Sequence, residues 1–190
     1  MRLAGCLITS RLRLRQPDAA GVIAQVERAV DAGIDLVQVR ERDLEGRALY
    51  DLVRGCLAVA HGTHTRVLVN DRLDVAIAAG AHGVHLRGRS LPAARARALA
   101  GTGFLIGRSV HSADEAIEAW RAGGLDYLMF GNVFDTASKP GREAAGLERL
   151  AEVAHATPLP VLAVGGITAA RAPLVARAGA SGFAAISMFT

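Results

Sequence analysis

The feature that most constrains the fold of this chain is a short phrase that occurs four times along its 190 residues. Each copy is alanine, then glycine, then a largely apolar run, and the copies begin at Ala32, Ala79, Ala122 and Ala178. Alanine followed by glycine is typical of a helix end, and the apolar run is typical of a parallel strand buried on both faces. Each interval between copies has room for two strand-plus-helix units, so the phrase marks every second strand of an eight-strand set.

The other four strands are predicted between these copies, at 3–9, 66–70, 104–109 and 160–164, and the eighth strand near 182–187. Helical periodicity separates the strands around 18–32, 46–60, 72–79, 92–100, 113–122, 146–156 and 168–178. Strict alternation of strand and helix predicts the α/β class with a parallel sheet.

We therefore predict one domain over residues 1–190, a (β/α)8 TIM barrel. The alternative is an open doubly wound sheet, but Thr9-Ser-Arg-Leu-Arg has no glycine-rich turn of the kind that binds dinucleotides there. No eighth helix follows strand eight in the sequence, so either the chain has been cut there or the last face of the barrel is covered in another way. A swapped or dimeric arrangement, and hence a homo-oligomer, is one way to cover it.

Composition narrows the ligand class. The formal net charge of +4 favours anionic ligands, and phosphorylated metabolites are the simplest of these. Aromatic residues make up only 4% of the chain, which counts against a nucleic-acid surface built by base stacking. The sequence shows no membrane-spanning run and no cleavable signal, so we expect a cytoplasmic protein without membrane partners. Cys6 and Cys56 lack metal-type spacing and are expected to be reduced core thiols.

Lys139 is the only lysine among the 22 lysine and arginine residues. A lone surface lysine is usually only solvated, but this one follows Thr136 and Ser138 and precedes Gly141. Hydroxyl groups, flexible backbone and a compact ammonium group together are suited to binding phosphate. We predict that this segment binds an anion.

In a TIM barrel, functional residues lie at the carboxyl ends of the strands. After strand two, alternation places Gln38, Arg40 and Arg42 on one face, where an amide and two guanidinium groups would meet at the barrel mouth. The alternative is a structural ion pair of Arg40 with Glu41 or Asp43.

Further candidates follow strands three, five and six. Asn70 and Asp71 end strand three, and Asp71 would either bind a hard cation such as Mg²⁺ or cap the next helix, which is the commoner role. Ser109 and Asn132 are candidates at the rim. Ser112, three residues before a glutamate, is predicted to be a helix cap.

After strand seven, Gly165 and Gly166 open a helix and would expose backbone N–H groups to a phosphate. Among the histidines, His61 and His64 fall at the opposite end of the barrel, and His85 is expected to be a buried, hydrogen-bonded core residue. The sequence contains no Ser-His-Asp order, Walker loop or metal-type cysteine cluster, which excludes the corresponding hydrolases, NTPases and zinc enzymes.

Seven phrases in order resemble the thiamine phosphate synthase family, which includes the thiazole tautomerase TenI. They are Val37-Gln-Val-Arg-Glu-Arg42, Val69-Asn-Asp71, Gly83-Val-His-Leu86, Ile106-Gly-Arg-Ser-Val-His111, Asp126-Tyr127 with Phe130-Gly131, Thr136-Ala-Ser-Lys139 and Gly165-Gly-Ile167. The resemblance spans nearly the whole chain and implies a TIM barrel of thiamine biosynthesis.

The resemblance also implies a thiazole phosphate site near the Gly165-Gly166 turn, Thr136, Ile186 and Ser187. In the synthases, positions matching Gln38, Arg40, Arg42, Asn70 and Lys139 hold a pyrimidine diphosphate, and Mg²⁺ bridges two aspartates and the diphosphate. The thiazole nitrogen attacks the pyrimidine methylene carbon as diphosphate leaves.

Three departures bear on the activity. Arg42 stands where the synthases have a lysine, and it fits the tautomerase pattern. Ser90 stands where the second magnesium-binding aspartate is expected. Arg87 and Arg89 would then replace the positive charge of the metal. Asn132 stands where TenI has a histidine, and asparagine cannot carry protons at neutral pH.

From these departures we expect a TenI-like thiazole enzyme, without a cofactor, whose catalytic residues are Asn132 and Lys139. The first alternative is an active synthase with Mg²⁺ at Asp71. The second is a regulator that binds the phosphorylated ligand and has lost catalysis.

Overall fold

The computed structural model describes residues 4–136, 141, 143–186 and 188. Its strands form a closed ring. Within this part of the chain there are eight strands, β1 (Ala4–Ile8), β2 (Leu36–Val39), β3 (Arg66–Asn70), β4 (Gly83–Leu86), β5 (Leu105–Val110), β6 (Tyr127–Gly131), β7 (Val161–Val164) and β8 (Gly182–Ala185). Each strand pairs in parallel with the next, and β1 pairs with β8. The predicted TIM barrel is confirmed, and the open-sheet alternative is wrong.

Seven α-helices connect these strands in the described residues, as the periodicity predicts. They are α1 (Ala19–Asp31), α2 (Gly46–Ala60), α3 (Leu73–Ala79), α4 (Ala93–Ala100), α5 (Ala113–Arg121), α6 (Gly146–His155) and α7 (Ala172–Arg177), and a short 3₁₀ helix, Arg11–Arg13, follows β1. Between β8 and Met188, the described residues contain no further α-helix. None of the described helices is long and apolar enough to cross a membrane.

The repeated alanine-glycine phrase ends helices in the way the sequence predicts. Its four glycines, Gly33, Gly80, Gly123 and Gly179, all have φ between 71° and 90°. Glycine adopts this left-handed conformation without the steric cost that a Cβ atom would bring. The phrase therefore turns the chain from the helix layer back into the barrel.

Two local predictions have different outcomes. Ser112 caps α5, since its side chain accepts a hydrogen bond from the Glu115 N–H at 3.1 Å. Helix α7, predicted from residue 168, begins only at Ala172, and Thr168 instead accepts backbone hydrogen bonds from Arg171 and Ala172. Pro173 explains the late start, because proline has no N–H and fits the first turn of a helix.

Both cysteines are free and buried, as expected, in β1 and α2. Burial raises the pKa of the Cys6 and Cys56 thiols to about 12, so neither thiol is ionised at neutral pH.

Side chains alternate between the barrel interior and the helix layer. One buried apolar cluster fills the interior, with Cys6, Ile8, Leu68, Tyr127, Met129, Leu162 and Ala184. The remaining buried residues pack between the strands and the helices in two larger clusters. The interior is thus a packed core that closes the barrel beneath its carboxyl end.

Gly107 makes room for the largest interior side chain. A Cβ atom on Gly107 would lie 2.0 Å from Cζ of Tyr127, whose ring therefore occupies the space beside β5. Tyr127 is 4% exposed. The tyrosine ring fills the centre of the barrel only because residue 107 has no side chain.

We predict that Gly107→Ala destabilises the protein by about 1–3 kcal/mol, because the added methyl group overlaps the Tyr127 ring and forces the core to shift. Urea unfolding with the intrinsic fluorescence signal would measure the change. Gly103→Ala is the control, since a Cβ atom there meets nothing within 4 Å. Equal stability of the two variants would contradict the close approach of residues 107 and 127.

Candidate active site at the carboxyl end of the barrel

Four neighbouring strands place polar side chains at the carboxyl end of the barrel interior. Gln38, Asn70, His85 and Ser109 come from β2, β3, β4 and β5 respectively. They line one cavity of about 250 Å³, called the mouth cavity here. Its other lining residues are Ile8, Arg40, Arg42, Arg87, Met129, Asn132, Thr136, Val164, Gly165 and Ile186. The fold thus brings together, at the carboxyl ends of the strands, residues that are far apart in the sequence.

Gln38 has an amide group that is only partly satisfied. Its Nε2 atom donates to Oδ1 of Asn70 at 3.1 Å, whereas its buried Oε1 atom has no hydrogen-bond partner in the described structure. A buried acceptor without a partner is costly. A ligand N–H group in the mouth cavity would remove that cost, so the site is suited to a ligand that donates a hydrogen bond.

His85 is buried and hydrogen-bonded, as expected, but it also faces the mouth cavity, which the sequence reasoning did not foresee. Its Nδ1 atom lies 3.0 Å from the Tyr127 hydroxyl, and its Nε2 atom lies 2.9 Å from Oγ of Ser109. Burial lowers the pKa of His85 from 6.5 to about 4, so the imidazole is neutral at pH 7. A neutral imidazole held at both nitrogens orients the Ser109 hydroxyl.

Arg40 and Arg42 reach the mouth cavity from just beyond the end of β2 at Val39. The alternative of a structural ion pair for Arg40 is wrong. Glu41 instead accepts hydrogen bonds from Thr9 Oγ1 at 2.7 Å and from the Arg11 N–H at 3.1 Å, and the Arg11 side chain pairs with Asp43.

The Glu41 and Asp43 carboxylates do not pair directly with Arg40. In the described part of the chain, neither Arg40 nor Arg42 has a carboxylate oxygen within 4.0 Å. Burial is the largest cause that lowers the pKa of Arg40, and the neighbouring Arg42 charge adds to it, although the charge of Glu41 partly offsets these effects. Two guanidinium groups without carboxylate partners make the rim of the cavity suited to an anion.

Asp71 does not cap α3, contrary to the commoner role of such a residue. The cap position of α3 is Arg72, without a side-chain cap hydrogen bond, and Asp71 has a φ of 64°. Its carboxylate accepts a hydrogen bond from Ser90 Oγ and pairs with the Arg87 guanidinium. Burial opposes ionisation, but these two partners outweigh it and hold the pKa of Asp71 below its usual value.

These contacts do not fit a protein-bound magnesium ion. The charge of Asp71 is already balanced by Arg87, and the described residues contain no group of three or more aspartate, glutamate, histidine or cysteine residues that could hold a metal. The prediction of Mg²⁺ at Asp71 therefore finds no ligand set among the described side chains.

The Gly165-Gly166 turn borders a second, smaller cavity of about 50 Å³, called the turn cavity here. Both glycines have left-handed backbone conformations, with φ of 99° and 64°. A Cβ atom on Gly166 would lie 2.5 Å from the Asp135 carbonyl oxygen, so a larger residue does not fit. Arg171 holds the turn from outside, donating to the Gly166 carbonyl at 2.8 Å.

Several predicted residues border both cavities. Thr136, Gly165 and Ile186 line the mouth cavity and the turn cavity, which places the two side by side. Gly166 lines only the turn cavity. Arg13, from the 3₁₀ helix after β1, also lines the turn cavity and was missed, although its place after a predicted strand was a signal that could have found it.

Asn132 is 6% exposed and lines the mouth cavity, as predicted for a site residue. Its catalytic role stays a prediction. Ser138, Lys139 and Ser187 lie outside the described residues, so their predicted roles also stay predictions. His61 and His64 are exposed and lie before β3, away from the carboxyl end, as expected.

Together, these features define a TIM barrel that has a cationic cavity and an adjoining glycine turn at its carboxyl end, where a small anionic molecule would be favoured. A family profile described as "Thiamine monophosphate synthase" matches residues 6–189. The chain belongs to this thiamine monophosphate synthase family, and the resemblance found in its sequence is confirmed.

Named relatives support the same assignment. The thiamine-phosphate synthase of Methanoculleus marisnigri is 44% identical over 163 residues, covering 84% of this chain and 75% of that protein. The thiamine-phosphate synthase of Coprothermobacter proteolyticus is 41% identical over 163 residues, covering 86% and 77%. The names favour the synthase alternative over the TenI-like expectation, and they confirm that the chain is an enzyme of thiamine biosynthesis.

Solved structures agree at the level of the fold. Thiamine phosphate pyrophosphorylase from Pyrococcus furiosus has a TM-score of 0.85 and 33% identity, covering 97% of this chain and 86% of that one. A 3-hexulose-6-phosphate synthase has a TM-score of 0.71 at 18% identity, covering 97% and 89%, which shows a likeness of fold alone.

We predict that stability falls as the pH is lowered from about 6.5 to 4, by on the order of 3 kcal/mol from His85 alone. The pKa of His85 is depressed in the folded state, so its contribution is complete above the unfolded value of 6.5. It is lost as the unfolded chain takes up the proton and the folded chain does not. Urea unfolding across this pH range would measure the loss.

His85→Gln should flatten this pH dependence relative to the unmodified protein. His61→Gln is the control, because His61 is exposed at the end of α2 and its replacement should leave the profile unchanged. An unaltered profile in His85→Gln would show that the imidazole is not held neutral by burial.

Proposed function

We propose that this protein is a thiamine-phosphate synthase, which joins an aminopyrimidine methyl diphosphate to a thiazole phosphate and releases diphosphate. The observation that carries the proposal is the mouth cavity, which is lined by Gln38, Arg40 and Arg42. The amide oxygen of Gln38 is buried and has no hydrogen-bond partner in the described structure. The names of the relatives support it.

The pyrimidine ring fits the inner part of the mouth cavity. Its amino group would donate to Gln38 Oε1, and Met129 and Ile8 offer apolar contact to the ring. The diphosphate would then lie at the rim, beside Arg40, Arg42 and Arg87. Guanidinium groups bind phosphate oxygens through two parallel hydrogen bonds, which fixes orientation as well as charge.

The thiazole phosphate would place its phosphate group in the turn cavity of about 50 Å³ and its ring towards the mouth cavity. Backbone N–H groups of the Gly165-Gly166 turn and the guanidinium of Arg13 are suited to its phosphate. Because Thr136, Gly165 and Ile186 border both cavities, a thiazole ring held there faces the ligand in the mouth cavity. The fold thus holds two reactants next to each other.

The reaction forms one bond and breaks one. The thiazole nitrogen lone pair forms a C–N bond to the pyrimidine methylene carbon, and the C–O bond to diphosphate breaks with its electron pair on the leaving oxygen. The chain supplies positive charge where negative charge develops, which is the main catalytic effect available in this site. Lys139 is proposed to add to that charge, from the segment beyond the described residues.

The isomerase alternative would need a group that accepts and returns a proton near pH 7. Asn132 has no such group. His85 has a pKa of about 4 and is engaged at both ring nitrogens by Tyr127 and Ser109. The site therefore supports the transfer reaction better than the tautomerisation.

We expect Arg40→Gln to lower kcat/KM for thiamine phosphate formation by about 10²-fold, because one stabiliser of the leaving diphosphate is removed. The assay combines aminopyrimidine methyl diphosphate, thiazole phosphate and excess MgCl₂, and follows thiamine phosphate by its conversion to a fluorescent oxidised product. Arg47→Gln is the control for the charge change, because Arg47 is exposed on α2 and pairs with Asp51. The proposal fails if the purified protein forms no thiamine phosphate.

Arg13→Gln should raise KM for thiazole phosphate by roughly tenfold, since it removes one charge-assisted contact to the phosphate. Its KM for the pyrimidine diphosphate should be unchanged, because Arg13 lines the turn cavity and not the mouth cavity. Arg15→Gln, in the same exposed segment, is the matched control. A rise in both KM values would contradict the division into two cavities.

A further inference from the structure

We infer that Arg87 takes the place of a divalent cation beside Asp71, so that this protein binds a diphosphate group without magnesium. The inference rests on the proposed function in one respect, since it takes diphosphate to be the group held at the rim of the mouth cavity. It concerns how the chain supplies positive charge, and not which bond is formed.

Both carboxylate oxygens of Asp71 are engaged. Oδ2 pairs with Nη2 of Arg87, and Oδ1 accepts the hydrogen bond from Ser90 Oγ. The Asp71 side chain is 18% exposed, so its carboxylate is partly shielded from water, whereas the Arg87 side chain is 55% exposed. A cation at this carboxylate would have to displace a guanidinium that is already there.

Ser90 shows where a second metal ligand is lacking. Its hydroxyl touches the Asp71 carboxylate, so residue 90 is the position from which a second carboxylate would stand beside the first. A hydroxyl group brings no negative charge. One neutralised carboxylate is a poor site for Mg²⁺, which binds through carboxylates and ligand phosphates.

The loop holds Arg87 in place without a metal. The Arg87 N–H donates to Ser90 Oγ at 2.8 Å, and the Ser90 N–H donates back to the Arg87 carbonyl at 3.1 Å. Arg108 from β5 donates to the Gly88 carbonyl at 3.1 Å. These bonds hold the backbone of the turn, and the ion pair with Asp71 holds the Arg87 guanidinium before a ligand arrives.

The surrounding charge favours an anion over a cation. Arg87 shares the mouth cavity with Arg40 and Arg42, and a divalent cation there would be repelled by all three guanidinium groups. A guanidinium has five N–H donors, and Asp71 cannot use them all. The remaining donors of Arg87 are available to phosphate oxygens.

Arg89, considered with Arg87 in the sequence, is placed differently. It lines an open cleft of about 940 Å³ between the loop after β4 and α5, together with Arg87 and Arg108. This cleft adjoins the mouth cavity, since Arg87 and Ser109 line both, but Arg89 does not line the mouth cavity. The metal-replacing role therefore falls to Arg87 alone.

Calorimetric titration with inorganic diphosphate tests the inference on the full chain. We expect the Kd in excess chelator to lie within about threefold of the Kd in MgCl₂, and Arg87→Gln to weaken binding by about tenfold or more in chelator. Arg95→Gln, an exposed arginine on α4, is the control for loss of one charge. Binding by the unmodified protein that disappears in chelator would overturn the inference.

A second variant distinguishes replacement of the metal by Arg87 from a purely structural role of Arg87 in the loop. Replacing both residues, Arg87→Ala with Ser90→Asp, removes the guanidinium and sets a second carboxylate beside Asp71. We expect this double variant to bind Mn²⁺, followed by electron paramagnetic resonance, and to bind diphosphate only when the cation is present. Mn²⁺ binding by the unmodified protein that is lost in Asp71→Asn would overturn the inference.

The two proposals fail in different ways. Metal-free diphosphate binding without formation of thiamine phosphate would contradict the proposed reaction and leave this inference standing. Formation of thiamine phosphate that requires a divalent cation, with diphosphate binding lost in chelator, would contradict this inference and leave the reaction standing.

Discussion

The pairing of β1 with β8 is the interaction on which the rest of this structure depends. It closes the sheet, so that all strands end at one rim and no strand edge is left open. Gln38, Asn70, His85 and Ser109, from four consecutive strands, thus face one cavity whose other wall comes from β1, β6, β7 and the end of β8. The same closure brings the loops after β1, β7 and β8 together around the Gly165-Gly166 turn.

Much of the fold was predictable because the sequence carries its signal in short, regular patterns. The alanine-glycine phrase ends helices at predictable positions, and most of the predicted helices begin or end within one residue of the observed ones. The late start of α7 is an exception that Pro173 explains. Site residues on strand ends were predictable for the same reason, since the carboxyl end of a parallel strand has a fixed place in a barrel.

The partners of those residues were not predictable, because they depend on register and loop shape. Nothing in the order of residues indicates that Arg11, and not Arg40, engages Glu41, or that Arg87 folds onto Asp71. His85 could be expected to lie in the core, but its position between Tyr127 and Ser109 follows from the alignment of β4, β5 and β6, and from the space left by Gly107. Such cross-strand contacts determine the protonation and orientation of the site residues, and only the three-dimensional structure shows them.

The unpaired oxygen of Gln38 has a consequence for ligand choice. A heterocycle with a carbonyl group in the position of the amino group would place its carbonyl oxygen against the amide oxygen of Gln38. Both oxygens are hydrogen-bond acceptors, and no water could reach them to donate a hydrogen bond. Burying an acceptor in that way costs about 1–3 kcal/mol, which corresponds to roughly a tenfold to hundredfold preference. The site would thus discriminate between amino and oxo forms of one ring by penalising the wrong form, with no steric barrier at all.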